Sequence, residues 1–459
     1  MQLTRQDRRR LGGTGKIGRS LAAATCTLLG TSAAGPAIAQ DLGDWQFNSA
    51  ALYYGESDGR VQDMSVNILA RGQLDEDNVL NLGFTYDTLS GASPNGAAPS
   101  NSAQIFARPI TLTRSSGGGV NASGGNFEIA PGALPIDDSF QDQRFAGNAS
   151  WERRLGRMNL LNLGASASFE YDYTHLGVNT GIARDFNNRN TTLSTGIAWS
   201  DDKVKPAGGA PLPFSPMVAA DTSGAGQQED FGEGRSNLSK HVFDVLFGVT
   251  QVLDRRTIMQ LNYSLSSSDG YLTDPYKLVS VVDPVTGDLV AGPDPGLNLY
   301  RYENRPDSRK KKSLFGLVKH DFNGNVLDAS YRVMSDDWGI DSRTFDLHFR
   351  WNFGDNRYVQ PHVRFYSQTA ADFYHTVLFA GEPLPEFATG DYRLGKFDAV
   401  TLGLKFGRRM GDSEFSTRVE VYRQSGNASP GASVGSLGDV NLYPDLTAIV
   451  VQISFKFDP

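Results

Sequence analysis

The stretch Leu446 to Phe457 decides the class of fold and reads Leu-Thr-Ala-Ile-Val-Val-Gln-Ile-Ser-Phe-Lys-Phe. From Ile449 onward, apolar and polar side chains alternate, a period of two that is typical of a β-strand between an apolar and a wet environment. A long terminal strand with one apolar face and an aromatic end is what a transmembrane β-barrel needs, because no sheet edge can stay unpaired in lipid. Taken alone, the same strand also fits the edge of a soluble sandwich.

The length and charge of the chain narrow the class of protein. Its 459 residues could form two or three ordinary domains, yet β-barrels of this length commonly form one. The formal net charge of −8 excludes a typical nucleic-acid-binding protein. The basic run Arg309 to Lys312 is interpreted as a solvated strand end.

The first 39 residues predict a cleavable signal peptide. A basic region leads into an apolar stretch, and Ala37-Ile38-Ala39 before Gln40 fits cleavage after Ala39. The single cysteine, Cys26, lies inside this segment, so the predicted mature chain, residues 40–459, has no disulfide. Beyond the signal there is no apolar run of about 18 residues, which excludes a helical membrane protein but not a barrel.

Alternating segments recur along the mature chain, and we count sixteen. The clearest are Asn78 to Thr88 and Asn159 to Tyr173, the latter long enough to cross a bilayer at a tilt. Two stretches without periodicity, Leu89 to Asp142 and Asp201 to Lys240, are rich in small and polar residues and predict loops. Short and long connections alternate, as in outer-membrane barrels with short periplasmic turns and long extracellular loops.

Aromatic residues near the strand ends support this interpretation, because barrels carry an aromatic girdle at each membrane interface. The short-turn ends hold Trp151, Trp351, Phe455 and Phe457, and the long-loop ends hold Tyr86, Tyr171, Tyr173 and Trp199. The sequence therefore predicts an all-β protein: a single transmembrane antiparallel β-barrel of about sixteen strands in the outer membrane of a Gram-negative bacterium.

The polar phase of each strand predicts what lines the interior, which sixteen strands leave too wide for side chains to fill. The first half offers an acidic wall without inward lysine or arginine, made of Asp63, Asp87, Glu170, Asp172, Asp185 and Asp244. The second half offers a basic wall, with Asp328, Asp346 and Glu420 interspersed, made of Arg332, Arg350, Arg364, Lys405, Arg418 and Lys456. Such a transverse field would orient zwitterionic solutes. The alternative is hydrated or salt-bridged residues with no transport role.

Other chemistry finds less support. His348 and His362 are expected to be neighbours across the Gly354-Asp355 turn, and His320 is expected to share their inward phase. A metal site would need a third ligand and a second shell that the sequence does not identify, so ordinary lumen histidines are favoured and no metal or cofactor is predicted. Neither Gly-x-Ser-x-Gly nor His-Glu-x-x-His occurs, so no enzyme is expected.

Five stretches resemble a family of proteobacterial outer-membrane proteins that is known only as a domain of unknown function. They are Ser90 to Ala97, Ala183 to Thr192, Pro211 to Pro216, Asp274 to Lys277 and Asn304 to Arg309. The resemblance covers nearly the whole mature chain and implies an exported outer-membrane barrel, but no activity. Four of the five stretches fall on the predicted long-loop side, where a binding surface or a folded-in constriction is expected.

Two functions follow as hypotheses. The first is a porin-like diffusion channel for small polar or zwitterionic solutes. The alternative is a plugged barrel, closed by the two long loops, that acts as a receptor or scaffold for another exported protein or a ligand. The expected partners are outer-membrane lipid, the barrel-assembly machinery and a small polar solute, without nucleic acid. The positions of the segments around Asn95 and Phe214 should distinguish pore from plug.

Overall fold

The computed structural model describes residues 45–58, 60–107, 111–114, 120–123, 126–137, 140–206, 209–218, 238–354, 356–426, 434–440 and 442–457. The predicted signal peptide with Cys26 lies outside the described residues, as does Asp355. The strands are β1 Trp45–Glu56, β2 Gln62–Gln73, β3 Asn78–Ser90, β4 Gln104–Ala107, β5 Thr111–Arg114, β6 Val120–Ser123, β7 Asn126–Ile129, β8 Gln141–Leu155, β9 Asn159–Phe169, β10 Tyr173–Phe186, β11 Thr191–Val204, β12 Leu238–Asp254, β13 Thr257–Gly270, β14 Leu278–Val282, β15 Tyr300–Tyr302, β16 Ser308–Phe322, β17 Asn325–Asp336, β18 Asp341–Phe353, β19 Arg357–Gln368, β20 Val377–Phe379, β21 Phe397–Met410, β22 Ser413–Gly426 and β23 Leu446–Phe457.

Sixteen of these strands form one closed antiparallel barrel, in the order β1-β2-β3-β8-β9-β10-β11-β12-β13-β16-β17-β18-β19-β21-β22-β23. The terminal strand closes it, with Phe457 opposite Phe47 and Ala448 opposite Glu56. The predicted all-β barrel, its strand count and the closing role of Leu446–Phe457 are confirmed. No helix among the described residues is long and apolar enough to cross a membrane.

The two faces of the wall differ in chemistry as the alternation predicts. On the apolar phase, side chains such as Val178 and Leu402 are 56% and 57% exposed. On the polar phase, side chains bond across an intervening strand: Tyr358 on β19 donates to Glu414 on β22 at 2.5 Å, passing over β21. Such contacts require the concave side of the sheet. The polar phase therefore faces the lumen and the apolar phase faces outward.

The connections alternate in length around the barrel, and the short ones are tight turns. Between β16 and β17, Phe322 lies opposite Asn325, and the two turn residues, Asn323 and Gly324, have φ angles of 56° and 94°. Positive φ at both positions is typical of the type I′ hairpin turn, which matches the twist of antiparallel strands and favours Asn-Gly.

One predicted strand boundary is wrong. We expected a continuous strand through Asn159 to Tyr173, but β9 ends at Phe169, and Glu170 to Asp172 connect it to β10. As a result Tyr173 is 3% exposed and bonds to Asp202 and Lys240 on the inner face, so it does not belong to an outer aromatic girdle. Tyr171, in contrast, is 56% exposed. A three-residue turn reversed the phase that uninterrupted alternation had predicted.

Candidate functional site

Five long connections at one end of the barrel fold together into a single body, here called the loop cap. Their described residues are 91–107, 111–114, 120–123, 126–137 and 140; 205–206 and 209–218; 271–307; 369–396; and 434–440 with 442–445. A three-stranded sheet, β15-β14-β20, joins the third and fourth connections through a parallel pairing of β14 with β20.

Backbone hydrogen bonds attach two of the other connections to this sheet and the third to the turn that follows β14. The N–H of Leu278 donates to the carbonyl of Asn95 at 2.8 Å, and that of Met217 donates to the carbonyl of Tyr300 at 2.8 Å. The N–H of Ser436 donates to the carbonyl of Thr286 at 2.9 Å. Segments that are far apart in the chain thus satisfy one another's main-chain polar groups, which a solvated loop would leave to water.

The loop cap has an apolar core of its own. Val279 and Tyr300 are completely buried, and the ring of Phe106 packs on Tyr300 with ring centroids 5.0 Å apart. Ala97, from the same connection as Phe106, and Met217, from a further connection, pack in this cluster. Burial of apolar surface by residues from several connections gives the cap the packing of a small folded unit.

An ionic cluster of three acidic and three basic side chains lies beside that core and is buried except for Arg393, whose side chain is 37% exposed. Its members are Asp274, Lys277, Glu303, Arg305, Asp391 and Arg393. Arg305 contacts both Glu303 and Asp391 at 3.0 Å, and Arg393 contacts Asp391 at 2.6 Å and Asp274 at 3.0 Å. The formal charges balance, as buried charges must, because an unpaired charge is costly in a low-dielectric interior.

Burial sets the ionisation of this cluster. Burial raises the pKa of Glu303 to about 7, although Arg305 opposes the rise. Burial also lowers the pKa of Lys277. Burial alone would raise the pKa of Asp391. The positive charges of Arg393, Lys277 and Arg305 outweigh burial and hold the pKa of Asp391 well below its usual range.

The loop cap packs against the inner wall at the barrel mouth. Tyr392 and Tyr443, from two connections, are 5% and 1% exposed and cluster with Phe397 and Ala399 of β21. Lumen-facing Tyr366 and Tyr422 pack on the same cluster. The cap therefore inserts aromatic side chains among lumen-facing residues on one side of the mouth.

Four of the five stretches that carry the family resemblance meet in this cap. Lys277 donates to Ser93 at 3.0 Å and to the carbonyl of Pro94 at 2.6 Å, which joins the first and fourth stretches. Arg301 donates to the carbonyl of Phe214 at 2.6 Å, so the third stretch binds β15. Both segments that should distinguish pore from plug, around Asn95 and Phe214, thus belong to the cap. The remaining stretch, Ala183 to Thr192, forms the turn between β10 and β11 at the opposite end.

Four residues of the predicted acidic wall lie on barrel strands, and the other two lie in a connection between strands. Asp63 and Asp244 lie on β2 and β12 in the polar phase, and Asp185 lies near the short-turn end, where Thr192 donates to it at 2.7 Å. Glu170 and Asp172 lie in the β9–β10 connection, and the hydroxyl of Tyr276 in the cap donates to Asp172 at 3.2 Å. Burial, followed by the charge of Asp142, raises the pKa of Asp172 to about 7.

The prediction that this half of the lumen lacks cations is wrong. Arg144 on β8 lies 2.6 Å from Asp87 and 3.9 Å from Glu170. Lys240 on β12 is 1% exposed and lies 3.0 Å from Asp202. Arg71 is a third inward cation, 3.4 Å from Glu152. The alternation of side chains along each strand could have shown that these cations face inward. On β8, however, few large apolar residues mark which side faces outward.

The residues of the predicted basic wall lie on consecutive strands of the second half. Arg350 stacks on Tyr358 with its guanidinium carbon 3.6 Å from the ring centroid, and Arg418 lies 3.4 Å from Glu420. Arg364 on β19 is exposed and forms no ion pair with any residue that the structure describes. The wall is completed by Arg332 on β17, Lys405 on β21 and Lys456 on β23.

A buried polar network on β9 to β12 was not anticipated from sequence. The imidazole of His175 contacts the hydroxyl of Ser166 through Nε2 at 3.1 Å and the carboxylate of Asp202 through Nδ1 at 2.7 Å. Lys240 and Tyr173 also bond to Asp202. The order Ser, His, Asp is that of a hydrolase triad. However, Ser166 sits mid-strand, paired with Gly177 on one side and Asn148 on the other, so the ladder uses its backbone N–H.

Several solved structures are similar to this chain. The chain is similar in structure to a double mutant of the ferric enterobactin receptor PfeA from Pseudomonas aeruginosa, with 10% identity, 86% of this chain and 56% of that chain covered, and a TM-score of 0.39. It is also similar to the CymD monoaromatic hydrocarbon channel, with 10% identity, 98% and 95% coverage and a TM-score of 0.38. A bacterial polysaccharide outer membrane secretin matches with 9% identity, 92% and 100% coverage and a TM-score of 0.41.

The chain spans about half the length of the enterobactin receptor, 56%. No curated protein matches it in sequence. The model of one protein family matches residues 18–457, nearly the whole chain. The chain therefore belongs to the family described as "Protein of unknown function (DUF3570)".

Proposed function

We propose that this protein is an outer-membrane β-barrel whose extracellular mouth is covered by the loop cap, and that it acts as a receptor or scaffold rather than as a permanently open pore. Insertion into lipid is supported by the outward phase, where large apolar side chains such as Leu402 and Ile453 are half exposed all around the barrel. In water such a surface would be an aggregation hazard, whereas a bilayer covers it.

The observation that carries the receptor function is the packing of five connections into one folded cap. A porin loop that merely narrows a channel needs no apolar core and no six-membered buried ionic cluster. The cap has both, and it seats Tyr392 and Tyr443 among lumen-facing residues. A rigid surface built from several loops is suited to recognising a partner, because its groups are already ordered before binding.

Single-channel recording tests this proposal. Full-length protein, folded in detergent and checked by heat-modifiable migration, is inserted into planar bilayers. We expect the wild type to conduct little, and Arg305→Ala, which removes the guanidinium shared by Glu303 and Asp391, to conduct in large steps. Large steps of equal size and frequency from both proteins would contradict a closing role for the cap.

A second candidate function, a diffusion channel for small polar or zwitterionic solutes, is favoured by the lumen charges. Arg364 is exposed without an ion pair among the described residues, and charged groups lie on opposite walls. A field across a constriction orients dipolar solutes. Uptake of glycine betaine into proteoliposomes by the wild type, at a rate equal to that of the Arg305→Ala protein, would favour this channel.

A further inference from the structure

Two histidines face each other on the lumen wall near the middle of adjacent strands. His348 on β18 lies directly opposite His362 on β19, with ring centroids 4.0 Å apart and ring planes 10° from parallel. Both rings direct Nε2 toward the carboxylate of Asp346. The pair therefore offers two nitrogen donors to one point in the lumen.

A carboxylate occupies that point. Asp346 is two residues before His348 on the same face of β18, with one oxygen 2.9 Å from Nε2 of His348 and the other 3.3 Å from Nε2 of His362. One ligand atom from each of the three residues lies within 4.8 Å of the other two. This is the third ligand that the sequence could not identify, because strand pairing, not chain spacing, brings Asp346 to His362.

A second shell supports the pair. Glu420 on β22 accepts from Nδ1 of His362 at 2.8 Å, reaching across β21. The strand between them carries Gly403, opposite both His362 and Glu420 in register, and a Cβ there would lie 2.7 Å from Cγ of Glu420. Glycine thus leaves the space through which the carboxylate reaches the imidazole. With a proton held on Nδ1, Nε2 of His362 keeps its lone pair for a ligand in the lumen.

We propose that His348, His362 and Asp346 form a binding site for a divalent transition-metal cation of the Zn²⁺ type. Imidazole nitrogens and one carboxylate suit such ions, and calcium and magnesium prefer oxygen ligands throughout. Bonds of about 2.0–2.2 Å place tetrahedral ligand atoms about 3.4 Å apart, close to the observed separations of 2.9 and 3.3 Å. Because imidazole binds a metal in its ring plane, one of the two nearly parallel rings must turn for both Nε2 lone pairs to meet at the ion. Solvent in the lumen supplies the fourth position.

Charges around the site permit a cation. Arg418 lies 3.4 Å from Glu420, and Arg364 is opposite Asp346 in register. The carboxylates of Asp346 and Glu420 offset a divalent charge. His348 and Asp346 keep 28% and 23% of their side chains exposed, so ions reach them from the lumen.

Two other histidines, His320 and His241, provide controls. His320 was expected to share the inward phase, but it pairs with Thr257 in the phase of outward-facing Met259 and Val318, so that expectation is wrong. In the run Gly316-Leu317-Val318, the residues on both faces of the strand are apolar. The sequence therefore could not show which face carries His320. His241 lies 3.2 Å from Asp201 on the outer phase beside Trp199, and is thus a histidine–carboxylate pair without a second imidazole.

Cobalt is the probe that tests the site, because its visible absorption reports coordination directly. Full-length protein folded in detergent is titrated with CoCl₂, and the bound Co²⁺ is then displaced with ZnSO₄. We expect one intense saturable band per chain that Zn²⁺ removes. His348→Gln and His362→Gln should each abolish the band, and Gly403→Val or Glu420→Gln should weaken affinity by about 10- to 100-fold, the usual effect of disturbing a second shell.

His320→Gln and His241→Gln should leave the titration unchanged, and each variant is checked for heat-modifiable folding. The proposal is overturned if the folded wild type gives no saturable band. It is equally overturned if the band survives in the folded His348→Gln/His362→Gln double variant. Either result would leave the cluster as an ion-paired element of the wall.

Discussion

Lys277 donates a hydrogen bond of 2.6 Å to the backbone carbonyl of Pro94, which lies 183 positions earlier in the chain. Lys277 is 4% exposed, so this contact joins two connections inside the cap rather than on its surface. Because Lys277 also belongs to the ionic cluster, the same side chain holds two segments of main chain together and takes part in charge pairing. Disturbing the cluster should therefore loosen the cap as a whole.

Arg305→Ala should loosen the loop cap by about 3–5 kcal/mol, the usual cost of removing one partner from a buried ion pair. Glu303 loses a guanidinium that contacts it at 3.0 Å, whereas Asp391 keeps its 2.6 Å contact with Arg393. Hydrogen–deuterium exchange should become faster at the amides of β14 and β15, while those of the barrel strands remain protected.

Arg189→Ala is the matched control for that substitution. Arg189 is 57% exposed and 3.9 Å from Asp185 at the short-turn end, so its ion pair should contribute about 0–1 kcal/mol or less. Exchange in the cap should be unchanged. Equal loosening by both variants would argue against the ionic cluster as the lock.

Raising the pH from 5 to 8 should also loosen the cap. A carboxyl group whose pKa is raised by burial contributes its full stabilisation of the folded state when the pH is below its unfolded pKa, about 4.5. That contribution is lost as the pH rises through the folded pKa, which is about 7 for Glu303. The groups facing Glu303 are Arg305, Thr389, Asp274 and Asp391. Exchange in β14 and β15, corrected for the intrinsic rate, should be faster at pH 8.

Glu303→Gln should reduce this dependence on pH, because the amide does not ionise. Asp172, whose pKa is also raised to about 7, contacts Tyr276 of the cap and should account for part of the remainder. The double variant with Asp172→Asn should be less sensitive to pH between 5 and 8 than either single variant. A dependence that is undiminished in the double variant would place its origin elsewhere.

The barrel was predictable from sequence because one physical rule repeats in every strand: an apolar outer face and a wet inner face impose a period of two. Where both phases are apolar, as around Leu317, orientation was lost, and where a turn as short as Glu170 to Asp172 interrupts the period, phase was reversed. The cap was not predictable. Its decisive pairings, such as Leu278 with Asn95 and β14 with β20, join segments without periodicity that only the closed barrel brings together.

Placing an arginine on the outer face should destabilise the protein in lipid far more than placing it on the inner face of the same strand. Leu261 on β13 is 46% exposed in the outward phase, and Ser264 is in the inward phase. Leu261→Arg should cost about 2–4 kcal/mol near the bilayer midplane, whereas Ser264→Arg should cost little. Urea titration of protein folded in vesicles measures both, and equal costs would contradict membrane insertion.

Ser166 should not behave as an activated nucleophile, despite its 3.1 Å contact with His175. An oxyanion needs preorganised donors beside the reacting oxygen, and the backbone of Ser166 is paired with strands on both sides. A fluorophosphonate probe should therefore leave the wild-type protein unlabelled. Labelling that disappears in Ser166→Ala would reveal a hydrolase and refute the expectation that the protein is not an enzyme.

Neutralising Arg350 and Arg364 should shift ion selectivity toward cations in protein whose cap has been loosened by Arg305→Ala. Both side chains lie in the inward phase of adjacent strands, and Arg364 has no ion pair among the described residues, so its charge acts on passing ions. Arg350 lies 3.8 Å from Glu414, so its loss also removes one of the cations that offset this carboxylate. Reversal potentials in a salt gradient should show the cation-to-anion permeability ratio rising about two- to tenfold in Arg350→Gln/Arg364→Gln. Lys312→Gln, in the outward phase of β16, should leave the ratio unchanged; if it shifts the ratio equally, the ions sense overall charge and not the lumen wall.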